Sequence, residues 1–401
     1  MSTVIVVGAG INGVTSAIEL KKRGYKVILV DPGPLPHPLA ASTDISKAVR
    51  AAYGADEDYT ALAERSIELW RKWNTQFGAE LYHQTGVLFV RQRPMQPGDF
   101  EYESCKIFEK HGHKFERINS ATLRERFPAF NAERFHDGFL DPEAGYVESG
   151  RVVATLVEQA RSLGVELVER IKFIALDEND NSVNGIVLQD RQRIRSDAVV
   201  VAVGAWTPYL LPFTRKFFRA TGHPVFHLKP DKPELFSPQR FPFFGADIST
   251  TGYYGFPLNR EGVVKIANHG PGREMSPDSP ERMVAPEEEK ELREFLTNAI
   301  PALAEAPIVY SRICLYCDTH DGDFWIAPDP ERRGLVIATG DSGHGFKFAP
   351  LLGEIVADTV EGKSNPLLQR FRWRPEVRSG LQKEAARFQP ELSGGDLRRR
   401  V

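Results

Sequence analysis

Residues 3–31, TVIVVGAGINGVTSAIELKKRGYKVILVD, restrict the fold more than any other stretch of the chain. An apolar run, Val4 to Val7, enters Gly8-Ala9-Gly10-Ile11-Asn12-Gly13, and Val14, Ala17, Ile18 and Leu20 follow at helical spacing. A second apolar run, Val27 to Val30, closes on Asp31. Strand, glycine turn, helix, strand and acid, in that order, make a dinucleotide-binding βαβ unit. Gly8 permits the tight turn, Gly10 lets a pyrophosphate approach the helix N-terminus, and Gly13 lets helix and strand pack closely. Asp31, eighteen residues beyond Gly13, is placed to accept bonds from a ribose hydroxyl. A plain βαβ unit is the rival reading, and the motif alone does not choose FAD over NAD.

At 401 residues the chain exceeds what one core usually serves, so two domains are expected. With 41% hydrophobic residues, 26% charged residues and a net charge of −3, it has no basic excess with which to bind nucleic acid. No apolar run reaches the roughly 18 residues of a membrane span. The first strand follows the initial Met too closely for a basic leader, and a cytoplasmic location is expected. Cys105, Cys314 and Cys317 do not form a secreted disulfide framework. His111 and His113 flank Gly112 in what reads as an exposed basic turn, without further ligands, so no metal site is expected. Arg398–Arg400 reads as a frayed end.

Lys47 and Arg50, three apart, would share one face of a helical turn, with a solvated basic face as the plain alternative. Residues 56–75 read as an amphipathic helix whose buried stripe is Leu62, Leu69, Trp70 and Trp73. Leu81 to Arg91 reads as strand, and Ser120 opens a short helix that Pro128 stops. Residues 145–163 begin a helix with Val152, Leu156 and Ala160 as its stripe. Glu166–Leu176, Val183–Leu188 and Ala198–Gly204 read as strands, the last running on to Trp206. Residues 222–245, rich in proline and basic residues, read as a crossing between domains. Val263–Ala267 is a strand carrying Lys265, with His269 just past its end. Cys314 and Tyr316 sit in a short apolar run. Leu335–Ala338 then breaks into a turn of Gly340, Ser342, Gly343 and Gly345 before Phe346 and Lys347. Such a turn lets the backbone approach a flat or anionic ligand.

Together these pieces resemble the flavin-dependent amine oxidases of the monomeric sarcosine oxidase group, which includes N-methyltryptophan, pipecolate, saccharopine and fructosyl amino acid oxidases. The resemblance rests on the N-terminal fingerprint with Asp31, Lys47-x-x-Arg50-x-x-Tyr53-Gly54, Tyr254-Gly255-Phe256-Pro257, Lys265 with His269, Cys314-x-Tyr316, and Gly343-His344-Gly345-Phe346-Lys347-Phe348. It implies an α/β (α+β overall) protein with a Rossmann-type FAD-binding domain, residues 1–80, 145–221 and 312–401, and a substrate domain of sheet and helices, residues 81–144 and 222–311. The cofactor contacts it implies are Gly8, Ala9, Gly10, Ile11, Asn12, Gly13, Asp31, Ser42, Lys47, Ile171, Gly204, Trp206, Cys314, Gly343, His344, Gly345, Phe346 and Lys347. Cys314 matches the cysteine bonded to the flavin ring. Arg50 and Lys347 match the groups that hold the substrate carboxylate. Lys265 matches the lysine that activates oxygen, and Tyr254, His269 and Tyr316 would line the substrate pocket.

The implied reaction is hydride transfer from a secondary (N-substituted) α-amino acid to covalently bound FAD, hydrolysis of the imine, and reduction of O₂ to H₂O₂ by a monomeric enzyme. Lys47 stands where sarcosine-type enzymes have arginine, and the Asp44-Ile45-Ser46-Lys47 run is closer to fructosyl amino acid and saccharopine oxidases. A larger N-substituent than methyl is therefore expected. Cys317 departs from the group's pattern and leaves a C-x-x-C redox or zinc pair as the rival reading of Cys314. A flavin amine dehydrogenase using another acceptor and a non-catalytic dinucleotide-binding protein stand as rivals to the oxidase.

Overall fold

The computed structural model describes residues 1–376 and 384–388; Arg398–Arg400 lie outside them. Its first sheet is six-stranded, in the order Trp325–Pro328, Leu335–Thr339, Ala198–Val201, Thr3–Val7, Lys26–Asp31 and Glu166–Glu169. All pairs are parallel except the first. Parallel strands buried on both faces need apolar residues throughout, which is why these runs do not alternate with polar ones. Val4, Val6, Val27 and Leu29 pack on the helices Ile11–Lys22, Ser149–Ser162 and Ala349–Glu361. Ile5, Val7, Ile28 and Val30 pack on the other side against Phe173, Ile186 and Leu188 of a three-stranded sheet. Each such side chain contributes about 1.5–3 kcal/mol by leaving water.

The second large sheet has nine strands, and its longest pair is Phe218–Leu228 with Ile308–Thr319, antiparallel along almost their whole length. The proline-rich crossing expected at 222–245 therefore begins inside an eleven-residue strand. Pro224 falls between Thr221–Gly222, paired with Arg273–Glu274, and Val225–Leu228, paired with Val264–Ala267, so on that side the strand has no partner at the proline among the described residues. These two strands carry the chain across two of the four expected domain boundaries, at 221/222 and 311/312. One face of the sheet, including Val264, Ile266, Phe226 and Phe244, is covered by the helix Pro286–Ala299 through Leu292 and Leu296. The opposite face presents Tyr254, Lys265 and Ala267, because strand residues alternate. That face looks toward the first sheet's C-terminal edge.

Several local expectations are corrected. Lys47–Val49 is a strand paired with Gly145–Val147, and no helical turn holds Lys47 and Arg50 together. Leu81 to Arg91 is two strands, Tyr82–His83 and Val87–Arg91, separated at Gly86 with φ +83°. The short helix at Ser120 is capped by the Asn119 side chain, which accepts from Thr122 N. His113 is not exposed: it bonds Asp141 at 2.9 Å and lies 3.1 Å from Glu64. The helix over residues 57–77 buries Leu62 and Trp70 as expected, while Leu69 and Trp73 pack only partly.

Candidate functional site

The turn Gly8–Gly13 and the start of the Ile11–Lys22 helix form one wall of a cavity of about 360 Å³. Gly8 adopts φ +96°, and a Cβ on it would strike the Ala202 carbonyl. A Cβ on Gly13 would overlap the Gly8 carbonyl oxygen, which explains why helix and strand approach so closely only with glycine here. The Asp31 carboxylate accepts from Ala9 N at 2.8 Å and Gly33 N at 2.9 Å, so it ties the turn together as well as facing the cavity. Burial raises its pKa, opposed by those two backbone donors. Ser42 Oγ accepts from Ile11 N at 2.9 Å. The first-turn N–H groups of such a helix have no intrahelical acceptor and favour an anion. Asn12 lines the same cavity, and its Oδ1 is buried without a partner among the described residues.

The far wall comes from the glycine turn after Leu335–Thr339. Gly343 has φ +81°, and any side chain there would run into the Tyr316 ring. Gly345 and Phe346 also line the cavity. Asp341 bonds Asn12 Nδ2 at 2.9 Å, and burial pushes its carboxyl up to about 6. Gly204 and Trp206 close a third side, with Trp206 Nε1 on Asp278 at 3.0 Å. Lys172 and Phe173 line the cavity where Ile171 is expected; Ile171 packs against the core beneath.

Lys47, Tyr316, Gly343 and Phe346 belong both to this cavity and to a smaller one of about 60 Å³. The smaller one adds Arg50, Tyr254, His269, His344 and Lys347 together with the apolar Ala48, Phe243, Ile248 and Phe256. All of them are buried or half-buried, and most are charged or polar. Lys347 Nζ donates to Tyr53 Oη at 2.8 Å and to His344 O at 2.7 Å. Burial, with Arg50 adding to it, holds Lys347 well below the usual lysine range. The His344 ring bonds Tyr53 Oη at 3.0 Å and Gly322 O at 2.9 Å, so it braces Lys347 and is absent from the wall of the large cavity.

Lys265 lies just outside the wall of both cavities, donating to Asp44 Oδ2 at 2.6 Å and Ser46 O at 2.7 Å. Its ammonium sits 4.7 Å from the Phe256 ring. Burial pushes its pKa down to about 8, with Asp44 opposing and Lys47 reinforcing the drop. Asp44 is held well below the carboxylate range: burial would raise it, and the Lys265 charge, His227 and Lys47 outweigh that.

Cys314 and Cys317 lie on the same strand three residues apart, an odd spacing that puts them on opposite faces. Both are free thiols. Cys314 packs with Tyr316 and Tyr254, and Lys47 Nζ lies 3.7 Å from its Sγ. Cys317 packs against the first sheet, and burial raises its thiol to about 12. A C-x-x-C chelate or disulfide is thereby excluded in this conformation. Among the described residues no cluster of His, Cys, Asp and Glu could hold a metal ion, and no helix is long and apolar enough to cross a membrane.

Three residues of the site are not singled out by the sequence pattern. Asp44 stands in the Asp44–Lys47 run, and an acid two places before Ser46-Lys47 is the signal that could find it. Asp341 stands in the glycine turn. Glu384 carries no signal: its carboxylate bonds Arg50 Nη2 at 2.5 Å and His269 Nε2 at 2.8 Å from a segment 334 residues away from Arg50.

A sequence profile of FAD dependent oxidoreductases (DAO) matches residues 3–359. Monomeric sarcosine oxidase of Bacillus sp. strain B-0618 is 28% identical, over 95% of this chain and 98% of that protein. L-saccharopine oxidase of Schizosaccharomyces pombe is 28% identical over 93% of each. N-methyl-L-tryptophan oxidase of Yersinia pestis is 26% identical over 92% of this chain and 99% of its own length. Among solved structures, the fructosamine oxidase of Aspergillus fumigatus (Amadoriase II) superposes with a TM-score of 0.82 at 24% identity, covering 96% of this chain and 93% of that one. L-proline dehydrogenase from P. horikoshii gives 0.79 at 24% identity, covering 92% and 96%; both likenesses concern the fold.

Proposed function

The chain belongs to the FAD dependent oxidoreductase family, and from that premise we propose that it is an oxidase of secondary, N-substituted amines of the amino acid type. The observation that carries this reading is the junction of the two cavities, which share Lys47, Tyr316, Gly343 and Phe346. A dinucleotide seated on Asp31 and the helix N-terminus would bring its flat ring to that junction, facing a small polar pocket. When bound, the flavin supplies a two-electron acceptor for the amine C–H and hands the electrons on to O₂, giving H₂O₂.

The chain's own residues do the rest. The residues that would hold the cofactor are the Gly8–Gly13 turn, Asp31, Ser42, Gly204, Trp206 and the Gly343–Phe346 turn, and Cys314 would hold the ring covalently. The Lys47 ammonium lies 3.7 Å from the Cys314 Sγ. Arg50 and Lys347 form the cationic end of the pocket and receive the carboxyl end of the substrate. Tyr254 and Tyr316 wall the amine and exclude water. His269 is kept neutral by burial, against the pull of Glu384, and so can take the proton that a secondary ammonium must lose before it reacts. Lys265, a charge poised near neutrality beside the ring's expected place, stabilises the anion that forms on oxygen. The Asp44-Ile45-Ser46-Lys47 run, with lysine where sarcosine-type enzymes have arginine, supports a substituent larger than methyl.

Acid precipitation tests the attachment. The wild-type pellet should be yellow, and the Cys314→Ser pellet white with its flavin in the supernatant. Release of the flavin from wild type would remove Cys314 from its role.

A further inference from the structure

Among the described residues, Glu384 is the one carboxylate bonded to the pocket's cationic end, and it is held there from several directions. Its Oε1 meets Arg50 Nη2 and its Oε2 meets His269 Nε2. Arg50 also donates to Ala52 O, so two of its edges are engaged within the protein. The segment that carries Glu384 is itself anchored. Arg387 makes a two-pronged pair with Asp318 at 2.6 and 2.7 Å and donates to Gly270 O at 3.0 Å and Pro271 O at 3.2 Å. Its guanidinium lies 5.7 Å from the Tyr316 ring, Phe388 N donates to His269 O at 3.1 Å, and Ala386 is fully buried. A segment fixed by a buried bidentate pair and several backbone bonds stays in place, since its release would strand charges out of water. Glu384 lines a neighbouring cavity with Tyr53 and His344, and meets the smaller pocket through the Arg50 and His269 side chains that line it.

We infer that Glu384 is a specificity-determining residue that fills the carboxylate subsite, so that the enzyme selects N-substituted amino acids whose α-carboxyl is masked as an amide. The inference rests on the amine-oxidase reading and narrows its substrate. A free carboxylate entering beside Arg50 meets a second carboxylate already paired there, and it brings no hydrogen with which to bond it. An amide meets both demands: its carbonyl accepts from the Arg50 and Lys347 end of the pocket, and its N–H donates to Glu384. Discrimination of this kind, where a buried polar group of the site is left either matched or opposed, is steeper than discrimination by size.

The test uses the flavin-loaded full-length protein and reads the shift of flavin absorption on titration with propionamide or propionate. Wild type should bind propionamide at least about tenfold more tightly than propionate, and Glu384→Gln should tighten propionate by about tenfold or more while changing propionamide little. Turnover follows the same order: N-benzylglycinamide should exceed N-benzylglycine in kcat/KM, with the difference in KM, and Glu384→Asp should keep the preference. Equal or tighter binding of propionate to wild type overturns the inference, as does a Glu384→Gln protein whose propionate affinity is unchanged. If the glutamine variant does not retain flavin, the wild-type pair of titrations decides alone. A protein that holds flavin and prefers propionamide to propionate but is bleached by neither amine would sink the oxidase reading and leave the role of Glu384 standing.

Discussion

The two cavities that meet at Tyr316 are built from different material. The larger is shaped by backbone, with glycines at 8, 10, 204, 343 and 345 letting the chain close around it and its charged side chains spread among many apolar ones. The smaller is shaped by buried charged and polar groups: Arg50 is paired with Glu384, the neutral His269 bonds the same carboxylate, and Lys265 is paired with Asp44 just behind. The first kind of site fails when an atom is added, because there is no room. The second fails when a charge is removed, because its partner is left out of water.

Gly13→Ala should have the largest effect of any single change. The added methyl has no space against the Gly8 carbonyl, and an overpacking cost of at least about 3 kcal/mol at the turn should leave a protein without flavin. Retained flavin, measured as the ratio of flavin to protein absorption, checks it. A variant that keeps its colour would show that the turn can relax and that the cavity is less rigid than its packing implies.

Lys265→Met comes next and addresses the charged cavity. Reoxidation by air should slow by about a hundredfold, with reduction by amine changing far less, as separated in stopped-flow half-reactions. Equal slowing of both would place Lys265 in a structural role. The wild type should show the same dependence through pH. With a pKa pushed down to about 8, Lys265 loses its charge as pH rises through that value, so reoxidation falls there. Reduction rises over the same range as the bound amine is deprotonated, and turnover should pass through a maximum.

The smallest effect belongs to a site outside the comparison. His113 is half-buried, which alone would lower its pKa, but Asp141 and Glu64 raise it to about 9. A raised histidine adds stability that is full below its unfolded value of about 6.5 and fades as pH rises through its folded pKa. His113→Gln should therefore cost about 1–2 kcal/mol at pH 6, after allowance for solvent screening, and little above pH 9. Thermal unfolding at the two pH values reads this, and the flavin spectrum should not move.

The same contrast explains what the sequence discloses. The dinucleotide end is written in contiguous residues, since the turn, helix and second strand of 3–31 are fixed by local sterics and apolar spacing. Cys314 and Tyr316 are likewise legible, because strand alternation puts them on one face. Asp44 and Lys265 are 221 residues apart and meet only through the placement of the Lys47–Val49 strand, which local propensity reads as a helical turn. Pro224 inside a long strand defeats local reading for a related reason: the pairing with Ile308–Thr319, not local preference, decides it. Glu384 is the extreme case, a glutamate in a polar stretch whose role exists only once Arg50 and His269 are in place.

The most direct test of the whole account is to mix the flavin-loaded protein with an N-substituted amino acid or its amide in the absence of oxygen and then admit air. The account predicts that the yellow colour bleaches with the amine and returns in air, with H₂O₂ formed in step. Colour that persists with every amine would contradict it, and colour that bleaches but stays lost in air would make the protein a dehydrogenase.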